Sequence, residues 1–319
     1  MRRRGKIERY KLASVVILAL LLVTISFSCG CLKSDEGAWM KVTDDLGRNV
    51  TIPHKPERIV SLAPSVTEIL FAIGAGDRVV GVDEISNYPP EVAEIEKVGS
   101  YARISTEKVV DLNPDLVVGA YGNGIETIEK ISDLGIPVVG LNPRTLDEIL
   151  DSINLLGEVT GCEENATRLT NEMKVRIDRV KNASKKAAHR PRVLYVIWHD
   201  PLYTAGNGTF EDEMISIAGG ENLAADLPGY SIMTLETVID RDPEVIITTS
   251  GGGMGVEETN ISYEYILSEE RFADLTAVRE GRVYVIDADI ACRPGPRIVD
   301  ALEEIFRFIH PELCEGEEQ

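Results

Sequence analysis

Few residues along the 319-residue chain have types and spacings that could do bond-making chemistry. The four histidines, His54, His189, His199 and His310, are scattered, with no HExxH or other close metal-ligand pair. His199 alone follows a strand-like run, a place that suits a cleft or an ordinary polar loop. There is no GxSxG elbow and no GxxxxGK[ST] phosphate loop. GAGDRVVG at 74–81 lacks dinucleotide spacing and reads as a helix stop, and GGGMG at 251–255 suits a cleft-edge turn better than an anion cradle. No nucleophile–base constellation stands out.

The aromatic residues offer binding chemistry instead. They make up only 6% of the chain, so their placement is informative. Tyr88, Tyr101, Tyr121, Trp198, Tyr203 and Tyr230 fall just beyond strand-like runs or in loops ahead of helices. Ligands of parallel α/β sheets sit at the carboxyl ends of the strands. Tyr and Trp there can stack on a flat ligand and keep a polar tip for hydrogen bonding. Any one of the six could simply plug a loop; six, divided between two halves, read as a cleft that grips a bulky ligand.

The elements that would position them are α/β. Short Val/Ile-rich runs at 58–62, 78–82, 115–120 and 137–142 read as strands, separated by helices at 65–73, 106–112 and 125–134. The second half repeats this, with strands at 192–197, 244–249 and 282–288 and helices at 211–218 and 298–309. Such runs alternating with helices indicate parallel sheets covered on both faces. Between the halves, Thr145-Leu-Asp-Glu148 opens a capped helix. Residues 163–188 then carry apolar side chains at helical spacing and read as a long spacer joining two lobes.

The halves share sequence as well as order. STEKVVDLNPDLVV at 105–118 aligns without a gap with TLETVIDRDPEVII at 234–247. Glu107 and Glu236 are identical in the two copies, each at a helix start where the dipole favours a carboxylate. One acidic knob per lobe would suit basic pockets on a symmetric partner.

The formal charge of −20 averages unlike parts. Residues 1–30 hold six basic side chains and one acid, so the remainder carries −25. The basic start precedes the apolar run 12–27 and then SCGC at 28–31, the pattern of a secretion signal. Sixteen mostly apolar residues fall short of the roughly 20 that span a bilayer. Small residues before a cysteine resemble the lipobox of secreted lipoproteins, with Cys31 preferred over Cys29 for lipidation; an uncleaved anchor is the alternative. Five Asn-X-Ser/Thr signals, at Asn49, Asn165, Asn182, Asn207 and Asn260, agree with export. The expected location is therefore extracytoplasmic, on the outer face of the cell membrane. An acidic body argues against nucleic acid as a partner. Beyond the signal, Cys162, Cys292 and Cys314 cannot all pair with one another.

Over roughly residues 41–310 the chain resembles class III periplasmic-type substrate-binding proteins of ABC importers, which carry cobalamin, iron–siderophore complexes or haem. The resemblance rests on DLGRNVTIPHKPERIVSL, PSVTEILFAIGAGDRVVGV, SNYPPEV, NPDLVV, AGGENL at 218–223 and CRPGPRI at 292–298. It implies two Rossmann-like lobes with parallel sheets, joined by one long α-helix, with the ligand cleft between them. The divisions expected are a signal peptide with lipobox (1–31), a tether and entry segment (32–57), an N-terminal lobe (58–144), a helical linker (145–189) and a C-terminal lobe (190–319).

By position, the resemblance makes Glu107 and Glu236 docking residues for arginines of the two permease subunits. Tyr101, Tyr203 and Tyr230 fall where cobalamin-binding members have pocket aromatics, and Asp289 and Arg293 at polar cleft positions. Ile85 and Ala120 stand where such members often have Tyr and Trp, so the stacking surface is reduced or rearranged. Ala218 and Leu302 replace the cysteines that form a disulfide in some members.

The expected function is delivery of a corrinoid such as cobalamin to an ABC permease dimer with its ATPase subunits, without covalent chemistry and without a cofactor. A ferric siderophore or haem is the alternative ligand. Anionic catecholates would need more cleft cations than Arg103, Arg144 and Arg293. An extracellular α/β enzyme would need the acid–base set that is missing, and a sensor ectodomain would need a membrane helix leading to a signalling segment.

Overall fold

The computed structural model describes residues 38–250 and 260–314. Cys29, Cys31, the signal segment and the GGGMG turn lie outside the described residues. The strands are β1 (Met40–Thr43), β2 (Asn49–Ile52), β3 (Ile59–Ser61), β4 (Val79–Val82), β5 (Gly99–Ser100), β6 (Arg103–Ile104), β7 (Leu116–Ala120) and β8 (Val138–Leu141) in the first half. The second half adds β9 (Arg192–His199), β10 (Leu202–Ala205), β11 (Glu221–Asn222), β12 (Tyr230–Ile232), β13 (Val245–Thr249) and β14 (Val283–Ile286).

The helices of the first half are α1 (Pro64–Ala72), α2 (Thr106–Asp111), α3 (Ile125–Asp133), α4 (Leu146–Thr160) and α5 (Glu163–Ser184). Those of the second are α6 (Phe210–Ile217), α7 (Leu235–Arg241), α8 (Ile261–Ser268), α9 (Thr276–Arg279), α10 (Ala288–Ala291) and α11 (Ile298–Ile309).

The first lobe holds a four-stranded sheet in the order β4-β3-β7-β8, parallel throughout, as the Val/Ile runs imply. The second lobe departs from that reading. Its β9, β13, β14 and β11 are parallel, but β10 and β12 add an antiparallel edge, so the sheet is mixed. The entry segment also folds: β1 and β2 pair antiparallel around a turn held by Asp44. That turn seals the edge of β8, because the Asp44 carboxylate accepts the Gly140 N–H. A Cβ on Gly140 would lie 2.4 Å from Leu46, so a larger residue there would push the Leu46 side chain out of its place in the turn.

Side chains alternate across each sheet with the strand period of two. Ile59, Leu116, Val118 and Val139 face one way; Val60, Val117 and Val138 face the other, beneath α2 and α3. Likewise Val193, Tyr195, Val245 and Ile247 oppose Leu194, Val196 and Ile246. The first set from each lobe belongs to one continuous core, and each opposite set to a core of its own. Ala166, Met173 and Val180 of α5 lie in the shared core. The long helix therefore packs along α1, α4, α6 and α11 instead of crossing open space. Arg176 fastens it further, donating to Asp300 at 2.6 Å and to Glu303 at 2.7 and 2.9 Å.

The sequence repeat is a structural repeat. Ser105 Oγ accepts the Lys108 N–H at the start of α2, and Thr234 Oγ1 the Thr237 N–H at the start of α7. Both helices end on a left-handed non-glycine residue, Asn113 (φ 49°) and Asp242 (φ 41°). In each lobe an arginine at the root of the first strand captures the carbonyls there: Arg58 takes those of Leu112 and Asn113, Arg192 that of Asp242. The aligned acids Asp115 and Glu244 accept the backbone N–H groups of those same arginines.

A second tie joins the lobes directly. Glu68 of α1, only 3% exposed, accepts from Arg293 at 3.2 Å and from Arg297 at 2.7 and 2.9 Å, both from the second lobe. Removing one member of a buried ion set leaves the others desolvated and uncompensated, at a cost of about 3 kcal/mol or more. Glu68→Ala should therefore lower unfolding stability by about 3 kcal/mol in urea denaturation. A loss below about 1 kcal/mol would show that the tie is not a structural one.

Candidate functional site

The carboxyl ends of strands from both lobes converge on a cavity of about 640 Å³. The first lobe supplies Ala120, Tyr121 and Gly122 from the end of β7 and the turn after it, and Leu141, Asn142 and Pro143 from the end of β8 and beyond. The second supplies Ile197 and Trp198 from the end of β9, and Cys292 and Pro294 beyond α10. The antiparallel strands that sequence reading missed contribute two more aromatic rings to the wall. In the ladder Tyr203 on β10 lies opposite Trp198, and Tyr230 opens β12. Tyr121 and Tyr230 are 58% and 54% exposed, rings open to whatever enters.

One buried amide organises the first-lobe wall. Asn123 Nδ2 donates to the carbonyls of Leu62 and Tyr101, at 2.7 and 2.8 Å, while its Oδ1 accepts the Ala120 N–H at 2.7 Å. Three chain segments are thus fixed by one side chain that nothing in the local sequence marks. The Tyr101 hydroxyl lies so close to Gly122 that a Cβ there would come within 2.0 Å of it. Burial and the nearby Asp83 charge hold the Tyr101 phenol neutral, while a backbone hydrogen bond from Gly122 works the other way.

The second-lobe wall carries the one carboxyl group among the described lining residues, Glu211 in the first turn of α6. It is 1% exposed. Its Oε2 accepts from the Tyr230 hydroxyl at 3.2 Å, and its Oε1 has no hydrogen-bond partner among the described residues. Burial pushes its pKa up to about 7, against the opposing pull of its own backbone N–H and of the Tyr230 and Thr209 hydroxyls. Burial also raises Tyr230, Tyr195 and Cys292, so each is neutral at physiological pH. The acid sits as an early-turn residue behind the Thr209 cap, which disguised it in the sequence as an ordinary helix-start carboxylate.

Five of the eight expected ligand residues line this cavity: Tyr101, Tyr121, Trp198, Tyr203 and Tyr230. Tyr88, Asp289 and Arg293 instead belong to the tie between the lobes. Arg293 donates to Glu68, to Asn87 and to Asp289, and Asn87 donates to Asp289 at 2.8 Å. The Arg297 guanidinium stacks 4.2 Å above the centre of the Tyr88 ring. A buried hydroxyl chain, Ser61–Thr67–Ser86, ending on Asp83, orders the loop that presents Asn87 and Tyr88. His199 is not in the lining; its ring lies between those of Trp198 and Tyr265.

Of the candidate cations, Arg144 stands 5.8 Å over the Tyr121 ring, and no Lys, Arg or His lines the cavity among the described residues. Nor do those residues contain a metal-binding cluster. Glu107 and Glu236 are exposed on the first turns of α2 and α7, away from the cavity lining. Backbone and Thr234 hydrogen bonds hold the Glu236 carboxyl below its usual range.

Comparison with known proteins agrees with this geometry. Residues 59–290 match the Periplasmic binding protein family. A Bacillus subtilis protein named as an uncharacterized ABC transporter substrate-binding lipoprotein is 34% identical over 278 residues, covering 85% of each chain. The vitamin B12-binding protein of Vibrio cholerae is 33% identical, covering 81% of this chain and 90% of its own. Among solved structures, the periplasmic vitamin B12-binding protein of Vibrio cholerae superposes with a TM-score of 0.69 at 30% identity, over 83% of this chain and 99% of its own. A periplasmic heme-binding protein from Roseiflexus sp. RS-1 gives 0.71 at 30% identity, over 81% and 99%. The chain belongs to the periplasmic binding protein family and is a substrate-binding protein of the ABC importer type.

The burial of Glu211 carries a pH signature for the empty protein. Its folded pKa, about 7, lies above the ordinary carboxyl value of 4.5, so the folded state binds more protons between the two. Stability should fall as pH rises from 4.5 to 7 and stay low above. Glu211→Gln should raise the thermal midpoint at pH 8 and leave it almost unchanged at pH 4.5. Equal shifts at both pH values would contradict a buried, titrating acid.

Proposed function

We propose that this substrate-binding protein carries a corrinoid such as cobalamin in the cavity between its lobes. The observation that carries the reading is the lining: five Tyr and Trp side chains, with Phe210, Ile197, Leu141 and two prolines, and no cation among the described residues. Such a wall suits a broad, largely apolar ring system and offers no counter-charge to an anionic iron chelate. The named ligand of the Vibrio cholerae relatives supports the same choice. Haem is the second reading, favoured by the Roseiflexus structure; its carboxylates would have Arg144, beside Tyr121, as a candidate cation.

Delivery requires docking, and Glu107 and Glu236 are the proposed contacts for arginines on the two permease subunits. Neither forms an ion pair among the described residues. Each is followed three residues later by an exposed apolar side chain, Val110 at 43% and Ile239 at 39%. Residues three apart share a helix face, so each knob offers an acid beside an apolar patch. Lipidation at Cys31 would hold the protein on the outer face of the membrane, a reading supported by the small residues before that cysteine and by the Bacillus subtilis lipoprotein.

Titration with cyanocobalamin should quench the fluorescence of Trp198, whereas a ferric catecholate should not. No response to any corrinoid would sink the ligand assignment. In the same assay the double variant Glu107→Ala, Glu236→Ala should keep wild-type affinity while uptake by the assembled importer is lost; weakened binding would mean these acids serve the cavity, not the docking face. Cys31→Ser should move the protein from the membrane fraction to the soluble one, and membrane retention would count against the anchor.

A further inference from the structure

The cavity is mainly apolar, and beside the Asn142 amide and the tyrosine hydroxyls it carries one carboxyl group among the described lining residues. The Glu211 carboxyl is enclosed in the second-lobe wall with one oxygen satisfied by Tyr230 and the other by nothing among the described residues. A buried polar atom left unpaired costs free energy, so natural proteins retain one where something else completes it. The neighbouring Tyr195 hydroxyl is also without a partner and couples electrostatically to Glu211.

We propose that Glu211 is the polar recognition element of this cavity, its carboxylate accepting a neutral N–H donor, such as a carboxamide, from the rim of the bound ligand. The inference rests on the corrinoid reading, since a corrin carries carboxamide arms around an apolar macrocycle. Tyr230 is the gate to the acid: its ring is 54% exposed on an edge strand, and its hydroxyl covers Oε2. A ligand arm arriving beside that ring meets the carboxyl after rotation of the Glu211 side chain or displacement of the phenol.

The electrostatic surroundings leave the acid ready to change state. Tyr195 from β9, Tyr230 from β12 and Cys292 beyond α10 surround it, all neutral. Glu304 from α11 adds negative charge near Tyr195, and Asp287, Asp289 and Arg293 act on Cys292. On its own helix, Asp212 is engaged by Asn222 and Glu213 by the Leu146 N–H. With burial holding the empty-state pKa at about 7, roughly half the molecules are protonated there at neutral pH. An N–H donor stabilises the charged carboxylate more than the neutral acid. Binding therefore ionises the remaining acid, and the proton leaves to solvent as the N–H···carboxylate bond forms.

The test is calorimetric titration with cyanocobalamin, which has no group titrating between pH 6 and 8, in two buffers of different ionisation enthalpy. At pH 7 wild type should release ~0.5 proton per ligand bound, and affinity should rise roughly tenfold from pH 6 to pH 8. Glu211→Gln keeps the acceptor but cannot titrate; it should bind with a flat pH profile and release no proton. Glu211→Leu should weaken binding at every pH. Binding without proton release in wild type overturns the inference and leaves the corrinoid reading standing. Proton uptake overturns it too, since the ligand would then present an acceptor to a protonated Glu211. Absence of binding overturns both.

Discussion

The architecture depends on a carboxylate that cannot be left alone. Glu68 rises from α1 into a nearly waterless place and is neutralised only by two arginines of the opposite lobe. Bidentate pairing adds geometric specificity to the charge set, so it ties the lobes in a defined approach to one another. The shared core along α5 supplies the bulk of the attraction without specifying direction, as apolar burial does. Ionic geometry then selects one arrangement from those the core would tolerate. Cavity width follows from that choice, since its two walls belong to the two sides of the tie.

What the sequence revealed depended on how local the cause was. The parallel strands, the two-residue β11 excepted, were legible because fully buried strands read as Val/Ile runs, and α11 was placed at its observed bounds by its apolar stripe. The repeat was legible because its residues hold the same local conformation twice. Strands β10 and β12 were missed: they are four and three residues long, and the pairing of β12 with β10 and of β10 with β9 comes from tertiary contact, not propensity. Five cavity aromatics were found by type and position. Asn123 and Glu211 were not, because their importance lies in what surrounds them after folding. Asp289 and Arg293, expected at the cleft, turned out to be occupied with Glu68 and Asn87, a pairing between residues some two hundred positions apart.

The placement of charge divides the labours of the molecule. Buried ion sets hold the lobes together, and exposed acids on α2 and α7 face outward. Inside the cavity a single acid has its pKa raised to about 7 by its own enclosure, so the walls offer mainly flat apolar area with at most one negative charge among the described residues. A site built this way discriminates by shape and by a small number of hydrogen bonds, not by net charge.

The braces at the ends of α2 and α7 have a geometric corollary. Each helix is fixed to its own sheet by an arginine on the carbonyls of the helix end and by an acid on that arginine's backbone. The direction of each acidic tip is then a property of its lobe alone. The separation between the two tips, by contrast, is a property of the angle between lobes. A partner that grips both tips at once would act as a caliper: it would register any change of that angle without touching the cavity.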